Sequence, residues 1–68
     1  MLPELKTNDI LIDRKAREWI VHVVTGKRKR ETGFIESLYR LERLGIIGNQ
    51  QWTLDELNAQ GMTLKGTP

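Results

Sequence analysis

Cysteine is absent from this chain, which excludes disulfides and thiolate metal ligands together. Its absence fits a reducing compartment. Histidine and serine each occur once, as His22 and Ser37. A metal site wants several converging His, Cys or carboxylate ligands, and a nucleophile wants a positioned base. Neither constellation is visible in the sequence, and Ser37 reads as mid-helix, without a G-x-S-x-G setting. Gly26 and Gly33 do not form the G-x-x-x-x-G-K pattern of a phosphate loop. No catalytic residue, metal ligand or cofactor is therefore assigned, and the chain is read as a non-enzyme. Long apolar runs are also missing. No window approaches the ~18–20 residues of a membrane helix. Met1-Leu2-Pro3-Glu4-Leu5-Lys6 has neither the basic flank nor the apolar stretch of a leader. A cytoplasmic protein without a membrane partner is expected.

At 68 residues the chain reads as one small domain, 1–68. A domain of this size buries only about 60% of its unfolded surface. With no disulfide or metal to staple it, packing must supply the stability, or a partner or second copy must finish the core.

The most distinctive feature present is the run Lys27-Arg28-Lys29-Arg30. Four adjacent cations repel one another, stay solvated and seek negative partners. The net charge of +2 conceals their concentration. Residues 1–26 balance four basic against four acidic side chains. Residues 27–43 add Arg40 and Arg43 to the run and set six cations against Glu31, Glu36 and Glu42, for +3. Residues 44–68 carry Lys65 against Asp55 and Glu56, for −1.

Periodicity suggests helices. Ile12, Ala16, Trp19, Ile20 and Val23 fall within one helical stripe, with Asp13 as a candidate N-cap and Gly26 as the stop. The same segment has a rival reading. Trp19-Ile20-Val21-His22-Val23-Val24 is rich in strand-favouring residues, and Thr25-Gly26-Lys27 would turn a hairpin. The returning stretch Lys27 to Thr32 offers no apolar face, so the helix is preferred. A second helix is expected to start at Thr32, carry Phe34, Leu38 and Leu41 on one stripe with Ile35 and Leu44 beside it, pair Glu36 with Arg40 at i,i+4 and end at Gly45. Thr53-Leu54-Asp55-Glu56 is a capping box that opens a third, short helix ending near Gly61, with Trp52 stapling it to the core.

The expected fold is all-α: three helices at about 12–25, 32–44 and 53–60, the last two forming a hairpin. The alternative is α+β with a β-hairpin at residues 19–35. The expected core is Ile12, Trp19, Ile20, Val23, Phe34, Leu38, Leu41, Ile46, Trp52 and Leu57. Residues 1–8 and 62–68 are read as loosely ordered ends.

Gly33 to Ile47 resembles the recognition helix and exit of winged-helix DNA-binding domains, and Trp52 to Gly61 the segment after their wing. The likeness covers less than half of the chain, and the stretch between the first helix and Thr32 is too short for the middle helix of that fold. No family is assigned.

Two functions follow. The first is a small regulatory module that binds nucleic acid through Lys27, Arg28, Lys29 and Arg30, with Arg40 and Arg43 in support. The second is an adaptor or inhibitor that docks its helices on an acidic protein surface. Val21 and Val24, off the main face of the first helix, offer a partner or homodimer surface.

Overall fold

Trp19 to Val24, the densest run of β-branched and aromatic residues, is a strand. The computed structural model describes residues 1–29 and 35–66, and their side chains outside 25–36. It is mostly antiparallel sheet, so the expected all-α domain is overturned. In chain order the elements are β1 (Ile10–Ile12), β2 (Glu18–Lys29), β3 (Ile35–Arg43), β4 (Ile46–Ile47), α1 (Leu54–Ala59) and β5 (Thr63–Leu64). Strands β1 to β4 form a meander. The chain then crosses by way of α1, and β5 pairs with the free edge of β1, giving the sheet order β4-β3-β2-β1-β5.

The spine is the β2–β3 hairpin, in register from Ile20↔Glu42 to Lys29↔Ile35, with an irregularity between Val24 and Lys27. The first two expected helices are therefore both strands. Ala16, placed on the helical stripe, sits in the β1–β2 turn at φ 63, a left-handed conformation that a helix cannot contain. The strand reading of residues 19–24 matches the backbone. The turn expected at 25–27 does not, because β2 runs on to Lys29 and its partner is Ile35–Arg43 rather than Lys27–Thr32. Gly45, expected as a helix stop, lies instead in the two-residue turn Leu44-Gly45 between β3 and β4. Leu44 and Gly45 have φ of 55 and 78, the pair of positive angles that marks a type I′ hairpin turn. A strand at 35–43 leaves no recognition helix, which removes the winged-helix likeness.

The third helix is present. Thr53 caps α1: its hydroxyl accepts from the Glu56 N–H at 3.2 Å, and the Thr53 N–H donates to the Glu56 carboxylate at 2.9 Å. Capping survives the change of fold because it is set by residues three apart.

One face of the sheet and the underside of α1 bury Leu2, Leu5, Leu11, Val21, Tyr39, Leu41 and Leu57. Val21 shares its face with Trp19 two residues before it, Leu11 stands opposite Trp19 across the β1–β2 ladder, and Val21 pairs with Leu41. Of the expected core, Leu38, Leu41 and Leu57 are buried, while Val23 is exposed and Ile46 is 73% exposed. Phe34 lies outside the described residues. Val21, proposed for a partner surface, is fully buried. The first residues join the core through Leu2 and Leu5 and run beside β2, where Asn8 N–H donates to Val21 O and Val23 N–H to Thr7 Oγ1. Fully burying a leucine or valine contributes about 1.5–3 kcal/mol, so Leu11, Val21 and Leu57 anchor the three parts of the fold.

Candidate functional site

Asp13 organises one end of the sheet. Its Oδ1 accepts from the backbone N–H of Lys15 at 2.8 Å and of Arg17 at 2.9 Å, and its Oδ2 accepts from Arg17 Nε at 2.7 Å and from the Trp19 indole Nε1 at 3.0 Å. Asp13 does cap backbone N–H groups, as the sequence suggests, but in a β-turn. The indole N–H holds the Asp13 carboxyl well below the usual carboxylate range. Desolvation opposes this, and the backbone and side chain of Arg17 and the Lys15 N–H reinforce it. Only 8% of this carboxylate side chain remains exposed.

These four bonds fix the Arg14-Lys15-Ala16 turn and orient Trp19. The guanidinium carbons of Arg17 and Arg43 lie 5.7 and 5.9 Å from the centroid of its ring, within cation–π range. Trp52 reaches the same region from the β4–α1 connection. Its backbone bridges Tyr39 in both directions, Tyr39 N–H to Trp52 O at 2.8 Å and Trp52 N–H to Tyr39 O at 2.7 Å. Between the two indoles opens a groove of about 480 Å³, floored by Leu41 and Met62 and rimmed by Arg14, Lys15, Arg17, Asn49, Gln50 and Gln60. Both tryptophans are only partly buried.

The groove's outer wall is held by Arg40, whose Nε donates to Gly48 O at 2.9 Å and whose Nη2 donates to Asn49 Oδ1 at 3.2 Å. Its other wall is the end of α1, where Gly61 has φ 75. The Arg14 side chain packs over Gly61 so closely that a Cβ there would collide with it. Gly61 therefore answers two demands, a left-handed backbone and room for Arg14. Arg14 and Lys15 form no ion pair with a described residue, so the groove presents uncompensated positive charge.

The residues expected to bind separate into two regions. Lys27, Arg28 and Lys29 close strand β2 instead of joining two helices, in backbone register with Ser37, Glu36 and Ile35. Arg30 lies outside the described residues. Arg40 and Arg43 are on β3. Arg40 is bonded to the loop at 48–49, and the expected helical Glu36–Arg40 pairing has no basis in a strand, where residues four apart stand well separated along the chain. Arg43 lies by Trp19. The sequence reading missed the groove because Trp19 and Trp52 belong to segments far apart in the chain. The available signal was the cluster Arg14-Lys15 and Arg17 just before Trp19.

His22 Nε2 lies 2.8 Å from Glu42 Oε1 across the β2–β3 ladder. Among the described residues no three His, Asp or Glu side chains converge. Among the described residues no helix is long and apolar enough to cross a membrane. No protein-family model, curated protein or solved structure matches the chain.

Proposed function

We propose that this chain is a small non-enzymatic module that binds nucleic acid through the basic end of its β2–β3 hairpin. One observation carries the reading. Among the described residues strand β2 pairs beyond Val24 with β3 alone, so the backbone of Lys27, Arg28 and Lys29 lies on a two-stranded ribbon that continues past the other described strands. A two-stranded ribbon fits the width of a nucleic-acid groove. Cations along it neutralise phosphates and release condensed counterions, so affinity falls with salt. Arg43 and the uncompensated Arg14 and Lys15 extend the positive surface on the body of the domain. Arg40 acts there by holding the 48–49 loop.

The test is a gel shift at low salt with duplex and single-stranded probes, comparing the wild type with Lys27→Glu, Arg28→Glu. The reading expects a shift that the variant loses, together with a small fall in melting temperature, because Arg28→Glu sets a like charge in register with Glu36. Lys27→Ala, Lys29→Ala, in register with Ser37 and Ile35, weakens binding without that fall. No shift at low salt removes the reading.

A second reading, a protein-binding adaptor, is favoured by a separate feature. Leu44, Ile46 and Ile47 at the β3–β4 turn are 84%, 73% and 44% exposed, an apolar group that a partner would cover. The helix-docked version lacks its helices, so the contact would be this sheet edge. A pull-down with and without nuclease separates the two readings.

A further inference from the structure

We infer that the groove between Trp19 and Trp52 is a second binding site, which takes an unstacked base of single-stranded nucleic acid with its adjoining phosphate on Lys15 and Arg14. The inference rests on the nucleic-acid reading and assigns it a second contact, distinct from the ribbon.

The chemistry of the walls selects the occupant. Trp52, partly exposed, asks for a flat apolar group, and a base presents such a face whatever its identity. The Trp19 ring already carries Arg17 and Arg43 over it and serves as a wall of the groove. Lys15 and Arg14 ask for an anion. The Arg14 side chain lies over Gly61, which brings its charge to the rim of the groove. Asp13 adds little repulsion, since its charge is matched by Arg17 Nε at 2.7 Å and by the Trp19 N–H at 3.0 Å. Asn49, Gln50 and Gln60 bring donors and acceptors to the rim, where the polar edge of a base would lie. A groove of about 480 Å³ is within the size range of small-ligand sites. An acidic peptide supplies the charge but has no flat ring at each repeat. Single-stranded nucleic acid supplies both, base and phosphate in fixed alternation. The rim and the ribbon carry the same sign, so the phosphates of one single strand satisfy both without the groove of a duplex.

The experiment titrates the intact protein at low salt with a labelled oligothymidylate of about 20 nucleotides, following probe anisotropy and intrinsic tryptophan fluorescence together. Parallel arms use oligouridylate, thymidine monophosphate, a duplex and a Phe- and Glu-containing peptide. Quenching of the indoles in step with the anisotropy rise is expected. Trp52→Ala should weaken binding about ten-fold or more, with Trp52→Phe restoring most of it. Lys15→Glu, in an exposed turn, tests the site without touching the core and should reduce the slope of log affinity against log salt by about 1.

Binding of the oligomer with unchanged indole fluorescence and no effect of Lys15→Glu overturns the groove and leaves the ribbon reading standing. Absence of binding to every nucleic acid overturns both. Quenching by the peptide but not by the oligomer transfers the groove to the adaptor reading and overturns the inference. Quenching by the monophosphate at the oligomer's nucleotide concentration overturns the single-strand assignment. Equal responses to oligothymidylate and oligouridylate, or a preference for either, support it, and an oligodeoxyuridylate arm separates the effect of the sugar from that of the thymine methyl.

Discussion

Replacing Leu44 by asparagine should make this protein more stable, although it removes a large apolar side chain. Leu44 occupies the first position of the β3–β4 turn at φ 55, where a branched L side chain crowds its own backbone at a cost of about 1–2 kcal/mol. Asparagine tolerates this conformation, and Asn-Gly is the preferred sequence for a type I′ turn. The leucine offers little in return, because its side chain is 84% exposed. Giving up the small area it covers costs roughly a few tenths of a kcal/mol. The net expectation is about 1 kcal/mol of added stability, a rise of about 4–8 °C in Tm for a domain of this size. Thermal unfolding followed by circular dichroism, with chemical denaturation as a check, measures it. An unchanged or lower Tm would refute the reasoning, since it would mean that the strain is absent or that the leucine packs against something.

Three further outcomes follow from the core and the Asp13 hub. Leu57→Ala empties the single fully buried position of α1 and should cost about 3 kcal/mol, a large part of the roughly 3–10 kcal/mol available to such a chain; urea denaturation reads this as a lower midpoint. Thr53→Ala removes one half of the capping box and should cost about 1 kcal/mol, seen in the same assay. Asp13 has a folded pKa below its unfolded value, so its contribution to stability is complete above an unfolded pKa of about 3.9 and is lost as pH falls from there toward the folded value. Asp13→Asn should therefore flatten the acid limb of the wild-type Tm profile below about pH 4, and an unaltered profile would mean that other carboxylates govern it.

What the sequence revealed, and what it concealed, follows from the range of each interaction. The capping box at Thr53 and Glu56 was legible because every bond in it spans three residues. The strands were not. Spacings of three and four among Ile12, Ala16, Trp19 and Val23 fit a helix, yet Asp13 to Arg17 is a turn and only the rest are strand residues. The strand preference of Trp19 to Val24 is visible in the sequence, but residues 27–32 offer it no apolar partner. The true partner, Ile35 to Arg43, lies further along, and the cationic end of β2 pairs beyond the core. Glycine misled at Gly45 for a physical reason: a helix stop and a type I′ turn both require positive φ. At the proposed binding surface, the basic run was legible as composition, whereas the Trp19–Trp52 groove depends on a sheet crossing and a loop held by Arg40, neither of which leaves a local mark.

The central claim is that this domain holds a polyanion through its cations. Its most direct test is the dissociation constant of a single-stranded oligonucleotide between about 50 and 200 mM salt. The account predicts a linear fall of log affinity with log salt, whose slope loses about 2 in magnitude when Lys27, Arg28 and Lys29 are changed to alanine, at about 0.7 per phosphate contact. Binding that ignores salt, or a slope unchanged by those three substitutions, would contradict it.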